Sequence, residues 1–121
     1  MRLIVLREVF AICQVSTLDA IDWRRKYVFT AKTEVELSVV CEQSLIPNAA
    51  KRVERGWRAL RVQGTLAFGE VGILAGLTGA LAKKGISIFA VSTYNTDYLL
   101  IKEETLDQAI RCLRDAGYHV E

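Results

Sequence analysis

The sequence predicts an α+β fold of two tandem ferredoxin-like βαββαβ units, the first degenerate, packed together as a pseudo-dimer. Three observations carry this. The C-terminal half shows the complete βαββαβ order in its hydrophobic periodicity. In the N-terminal half, Phe29 to Cys41 repeats the pattern of Val91 to Lys102: strand, polar turn, acidic residue, strand. And 121 residues are enough for one ordinary domain or for two small units, which bury more surface together than apart.

Taken in order, Met1 to Leu6 is apolar but meets Arg7 and Glu8 before a signal-peptide core can develop, so a cytoplasmic protein is expected. Val9 to Val15 reads as a strand, and Ser16 to Arg25 as at most a short helix or a loop. Tyr27 to Ala31 and Val35 to Cys41 form an expected hairpin. Ser44 to Arg55, broken near Pro47, is the expected second helix of the first unit, and Trp57 to Val62 its closing strand. The boundary falls near Gly56, giving a degenerate unit over residues 1–56 and a second unit over 57–121. Trp57 to Phe68 closes the first unit, opens the second, or does both.

Leu60 to Phe68 is the opening strand of the second unit. Gly72 to Lys84 is a helix, because Ile73, Leu74, Leu77 and Leu81 make one apolar stripe. Lys83 and Lys84 suit the negative end of its dipole, and Gly85 supplies the left-handed stop. Ile86 to Ser92 is a strand, Thr93 to Asp97 a turn, and Tyr98 to Lys102 the returning strand. Thr105 opens a second helix through the capping box Thr105-x-x-Gln108, with Leu106, Ala109, Ile110 and Leu113 on one face and Gly117 at its end. Tyr118 to Glu121 alternates as an edge strand does.

Composition narrows the function. Apolar residues make up 51% and charged residues 25%, with Pro47 the only proline, which describes a chain that buries a core. Sixteen Lys and Arg against fourteen Asp and Glu leave +2, interspersed along the chain, so no nucleic-acid or membrane partner is expected. Val71 to Ala82 falls short of the roughly 20 residues of a membrane span. Cys13, Cys41 and Cys112 lie far apart in apolar runs and read as buried thiols. With His119 the sole histidine, neither a metal site nor a Ser-His-Asp or Cys-His centre is expected, so no cofactor and no enzyme activity are assigned.

Gly56 to Phe68, the block Gly69-Glu-Val-Gly-Ile-Leu-Ala-Gly-Leu, and above all Ile86 to Lys102 with its core Val91-Ser-Thr-Tyr-Asn-Thr-Asp-Tyr-Leu-Leu-Ile-Lys resemble the tandem ACT-domain proteins of the CASTOR and aspartate-kinase regulatory type. Thr33 to Cys41 resembles the matching block of a first ACT unit. The resemblance implies a non-enzymatic regulatory module that binds a small amino acid at an interface between ACT units and so controls an oligomer or a partner protein. It also implies ligand contacts from two segments, Gly69 to Ile73 and Thr93 to Asp97. Family members are often fused to an enzyme or repressor, and no such partner is present in this sequence.

Physical chemistry suits those segments. Backbone N–H groups of Val71, Gly72 and Ile73 at a helix start can meet a carboxylate, and Gly69 and Gly72 permit close approach. Asp97 is the candidate acceptor for the ligand's ammonium group, with Thr93, Asn95 and Thr96 completing the shell. The same glycines also serve simply to turn the chain, and Asp and Asn are ordinary turn formers. Glu36 is either the first-unit counterpart of Asp97 or a solvated edge residue. Glu70 complements the helix dipole, Trp23 and Trp57 read as packing anchors, and Arg52, Arg55, Arg58 and Arg61 form a weak basic patch.

The alternative is a ligand-free interaction or assembly module on the same fold. An RNA-binding module would need exposed aromatics in an RNP-type motif, which the sequence lacks. An acylphosphatase-like hydrolase would need an arginine in the Gly69 to Ile73 loop, and none is there. In either leading case open sheet edges favour a homodimer.

Overall fold

The computed structural model describes residues 1–65 and 71–121. Among them are eight strands and two α-helices: β1 (Arg2–Val5), β2 (Phe10–Val15), β3 (Phe29–Lys32), β4 (Leu37–Glu42), β5 (Ala50–Val62), α1 (Ile73–Lys83), β6 (Ile88–Ser92), β7 (Asp97–Lys102), α2 (Leu106–Asp115) and β8 (His119–Val120). The fold is α+β and ferredoxin-like, as the periodicity predicts. Packing divides the chain into one unit of Glu8–Trp57 and another of Met1–Arg7 with Arg58–Glu121.

The unit of residues 8–57 is built on strand order β3-β4-β2-β5, all neighbours antiparallel. That is the order a βαββαβ chain adopts, yet no α-helix accompanies it. A loop stands where the first helix belongs, and the second has shrunk to a single 3-10 turn, Gln43–Leu45. Its core is correspondingly thin: Ala11, Cys13, Val15, Val39 and Cys41 are buried on one sheet face, covered by Leu18 and Ile21 from the loop and by Ile46. A few loop side chains thus do the covering that a helix stripe would do.

Here the structure corrects the expected helix over Ser44 to Arg55. Ala50 onward is strand, paired with β2 from Val15↔Ala50 to Phe10↔Trp57. Lys51, Arg52, Glu54 and Arg55 are acceptable to a helix in isolation, but the ladder to β2 satisfies the backbone and buries part of Val53 against the core, so tertiary pairing wins. The register shifts between Phe10 and Ile12, and Gly56 sits there at φ +80°, the left-handed conformation of a glycine bulge. Its N–H is held by Gln43 Oε1 at 2.8 Å.

In the other unit the order is β6-β7-β5-β1-β8. β1 was not foreseen. It lies antiparallel to β5 (Leu3↔Val62) and parallel to β8 (Leu3↔Val120), between the two strands that are adjacent in a plain ferredoxin-like sheet. Leu3 is fully buried beside Leu60, Val62 and Val120. The two helices pack on this sheet face, α1 through Leu77 and Leu81 and α2 through Leu106, Ala109, Cys112 and Leu113, all buried. The predicted stripe of α1 is confirmed, and Gly85 is left-handed at φ +70°, its N–H and that of Ile86 bonded back to Ala82 O and Leu81 O.

Two local details differ from expectation. The capping box at Thr105 is not made: a 3-10 turn, Glu103–Thr105, precedes α2, and the Thr105 hydroxyl donates to Lys102 O at 3.1 Å. The expected strand Leu60 to Phe68 ends at Val62, and its portion from 66 to 68 lies outside the described residues.

The internal repeat is plain in the two hairpins. β4 and β7 share one burial pattern, with Val39, Val40 and Cys41 buried in the first and Leu99, Leu100 and Ile101 in the second. The turns match as well: Thr33 N donates to Glu36 O at 2.9 Å, and Thr93 N donates to Thr96 O at 2.8 Å. In this alignment Glu36 stands opposite Thr96 rather than Asp97, whose place in the first hairpin is taken by Leu37.

All three cysteines are buried free thiols, as expected. Cys13 and Cys41 lie on adjacent strands within hydrogen-bonding reach, and burial pushes the Cys13 thiol up and that of Cys41 to about 12.

Candidate functional site

The β6–β7 turn is built by its own hydroxyls. Ser92 and Asp97 face each other across the hairpin, and Thr93 Oγ1 donates to Thr96 O at 3.0 Å and accepts from Thr96 N at 3.3 Å. Both threonines are therefore structural first. Thr96 is the one buried polar side chain among the described residues, 7% exposed, and its Oγ1 donates to Val62 O at 2.8 Å. That bond ties the turn to the end of β5, from which the chain departs toward α1. Thr96→Val should therefore strand a buried carbonyl and cost about 1 to 3 kcal/mol. Urea unfolding measures this, and a loss below about 0.5 kcal/mol would show that Val62 O has another partner.

Asp97 opens β7 and is partly buried, with Oδ1 accepting from Ser92 Oγ at 2.7 Å. Ser92 was missed by sequence reasoning, although its place opposite Asp97 across a four-residue turn is a readable signal. A carboxylate has about four acceptor positions, so the Ser92 bond orients Asp97 and leaves capacity for a cationic group. Asn95 is exposed at the tip of the turn.

At the other segment, Gly72 is the N-cap of α1 at φ +82°, which a side chain would strain. Gly72 has no side chain to cap this end, and the first N–H groups of a helix are donors of the kind an anion can use. Ile73 packs on the core, whereas Val71 is 93% exposed. Gly69 lies outside the described residues. The structure thus brings Thr93, Thr96 and Asp97 together with Val62 and Ser92, and places Gly72 and Ile73 at the start of the helix that follows β5.

The sequence pattern of the ACT domain matches residues 52–115, just over half of the chain. The human protein described as cytosolic arginine sensor for mTORC1 subunit 1 is 39% identical over 59 residues, and its Bos taurus counterpart is equally so; the match covers 48% of this chain and 18% of the relative. The matched stretch is therefore less than a fifth of the length of these curated relatives. A crystal structure of an Agrobacterium tumefaciens protein superposes with a TM-score of 0.86 at 33% identity, covering 99% of this chain and 91% of that one. The regulatory subunit of aspartate kinase from Thermus thermophilus shares the fold, with a TM-score of 0.67 at 11% identity over 95% of this chain and 96% of that one. Periodicity, strand order and sequence pattern agree, and the chain belongs to the ACT-domain family.

Proposed function

We propose that the protein is a non-enzymatic regulatory module that binds a small amino acid at an interface of ACT units and thereby controls an oligomer or a partner protein. The observation that carries this reading is the Asp97 carboxylate, oriented by Ser92 in a turn anchored on the end of β5, in a chain whose curated relatives are named as arginine sensors. In this reading the ACT unit runs from about residue 57 to 121 with β1 joined to its sheet, and the earlier residues from Glu8 on form a degenerate one, a pseudo-dimer supported by the matching hairpin turns and burial patterns. Asp97 receives the ligand's ammonium group, and Thr93, Asn95 and Thr96 line it. The carboxylate meets the N–H groups of Val71, Gly72 and Ile73, with Gly69 giving access. A homodimer supplies the facing unit, since β3 and β6 each carry a ladder on one side only among the described residues.

The ligand acts by its differential affinity for two assembly states, and by no more than that. Thermal melting with each common amino acid at millimolar concentration, arginine included, is the test. A ligand at about 100 times its dissociation constant adds about 2.7 kcal/mol, a rise of several degrees in a protein of this size. Asp97→Ala should weaken that ligand about tenfold or more, the loss of one charge-assisted bond. An unchanged midpoint with every amino acid favours the ligand-free assembly module.

A further inference from the structure

No metal-binding spacing joins Cys13 and Cys41 in the sequence, but the sheet of the unit of residues 8–57 brings them together. In the ladder between β2 and β4, Ala11 stands opposite Cys41 and Cys13 opposite Val39, so the two cysteines are diagonal neighbours. Both are buried in the same small core, beside Ala11, Val15 and Val39. Their sulfurs lie within hydrogen-bonding reach of each other, and Cys41 Sγ also donates to Leu45 O at 3.9 Å. The loop that stands where a helix belongs leaves a cleft beneath it that reaches this pair. Cys41 lines that cleft with Ile21, Val28 and Leu45, around a cavity of about 90 Å³.

We infer that Cys13 and Cys41 are a two-sulfur site for one soft monovalent cation with a filled d shell, of the Cu(I) type, which enters by the cleft and is held in line between the sulfurs. Spacing favours a bridging ion. Diagonal neighbours on a sheet stand about 7 to 8 Å apart at the backbone, at or beyond the limit of about 7 Å for a direct S–S bond. At about 2.3 Å for each metal–sulfur bond, an in-line pair of sulfurs is roughly 4.6 Å apart, which the side chains reach by a small rotation away from their mutual hydrogen bond. Ligand number then selects the ion. Among the described residues no three His, Cys, Asp or Glu side chains come together to hold a metal, so zinc, calcium and magnesium are left short of the four or more ligands that they take. A soft monovalent ion with a filled d shell is satisfied by two thiolates. On binding, two S–H bonds are exchanged for two S–metal bonds, both protons go to solvent, and no atom changes its oxidation state. The occupied site carries one net negative charge. The positive charge of Arg55 acts on Cys13 to favour its thiolate. Glu42 acts the other way on Cys41, and its bidentate ion pair with Arg25, both bonds at 2.9 Å, weakens that opposition.

This site is distinct from the turn around Asp97 and stands whether or not that reading holds. The experiment titrates the reduced full chain, in the absence of oxygen, with Ag(I), a soft monovalent ion that undergoes no redox change here, and then with Cu(I) in competition with bicinchoninate. The expected result is one ion per chain, X-ray absorption with two sulfur neighbours and no nitrogen or oxygen neighbour, and backbone NMR shifts at residues 11–15 and 39–46. Cys13→Ala and Cys41→Ala should each weaken binding about 100-fold or more, beyond the usual loss on changing a residue that merely supports a metal ligand. Cys112→Ala should bind as the parent does. A dispersed spectrum certifies that each variant is folded, and where one is not, the X-ray absorption and the shifts of the parent decide. The inference is overturned if Zn(II) binds as tightly as Ag(I), if Cu(I) stays with bicinchoninate, if the absorption shows fewer than two sulfurs, or if either folded variant holds the ion as the parent does. Shifts confined to the surroundings of Cys112 also overturn it.

Discussion

Leu113→Ala is expected to lower the unfolding free energy by about 2 to 5 kcal/mol, the range for truncating a fully buried leucine. Leu113 has no exposed surface and sits in the core shared by Leu3, Leu77, Leu81, Ala109 and Val120. Its own carbonyl accepts from Tyr118 N at 3.0 Å, which starts the chain toward β8. The lost methyl groups are flanked by two helices and a sheet strand that are pinned by their own ladders and turns, so little collapse can refill the space. The midpoint of thermal unfolding should fall by roughly 10 °C. Gln108→Ala, on the exposed face of the same helix, should stay within about 0.5 kcal/mol of the parent. A loss under about 1 kcal/mol for Leu113→Ala would mean that α2 is not seated on this core.

A comparable effect is expected at high pH. Burial raises the Cys41 thiol from 9.0 to about 12, and the neighbouring Cys13 acts in the same direction. An acid whose pKa is higher folded than unfolded favours the native state as long as it stays protonated. Its contribution is complete below about 9 and is lost as the pH rises toward about 12. At about 1.4 kcal/mol for each unit, the loss across that window is on the order of 4 kcal/mol. Urea unfolding of the parent and of Cys41→Ala at a series of alkaline pH values reads this part together with the change at Cys13, whose thiol loses the Cys41 hydrogen bond that lowers it. The parent should fall more steeply. Parallel profiles would show that the thiol is hydrated in the folded state.

What could be read in advance was what is local. α1 and its glycine stop depend on residues within one or two turns, so the stripe of Leu77 and Leu81 and the φ of Gly85 follow from a short stretch. The β6–β7 turn is equally self-contained, and Thr93 and Thr96 were readable as turn formers, though not the bond from Thr96 to Val62. Distance in sequence hid the rest. β1 is too short to announce itself, and its two neighbours lie near residues 60 and 120. Residues 50–57 carry charges that a helix accepts, and only the ladder to β2 makes them a strand. Arg25 and Glu42 are seventeen residues apart, one on an irregular loop and one at a strand end, so their pairing exists only once the loop has folded.

The place of β1 bears on how the protein is made. Arg2–Val5 is synthesised well before its partners, for Leu3 pairs with Val62 and Val120. At roughly 5 to 20 residues per second, this strand waits on the order of ten seconds for its last neighbour. Until then its apolar edge has no ladder on that side, and closing so long a loop is slow. The unit that carries Asp97 is thus completed only when β1 and β8, far apart in the sequence, meet, and nascent-chain protection of Leu3 should appear only after β8 has emerged.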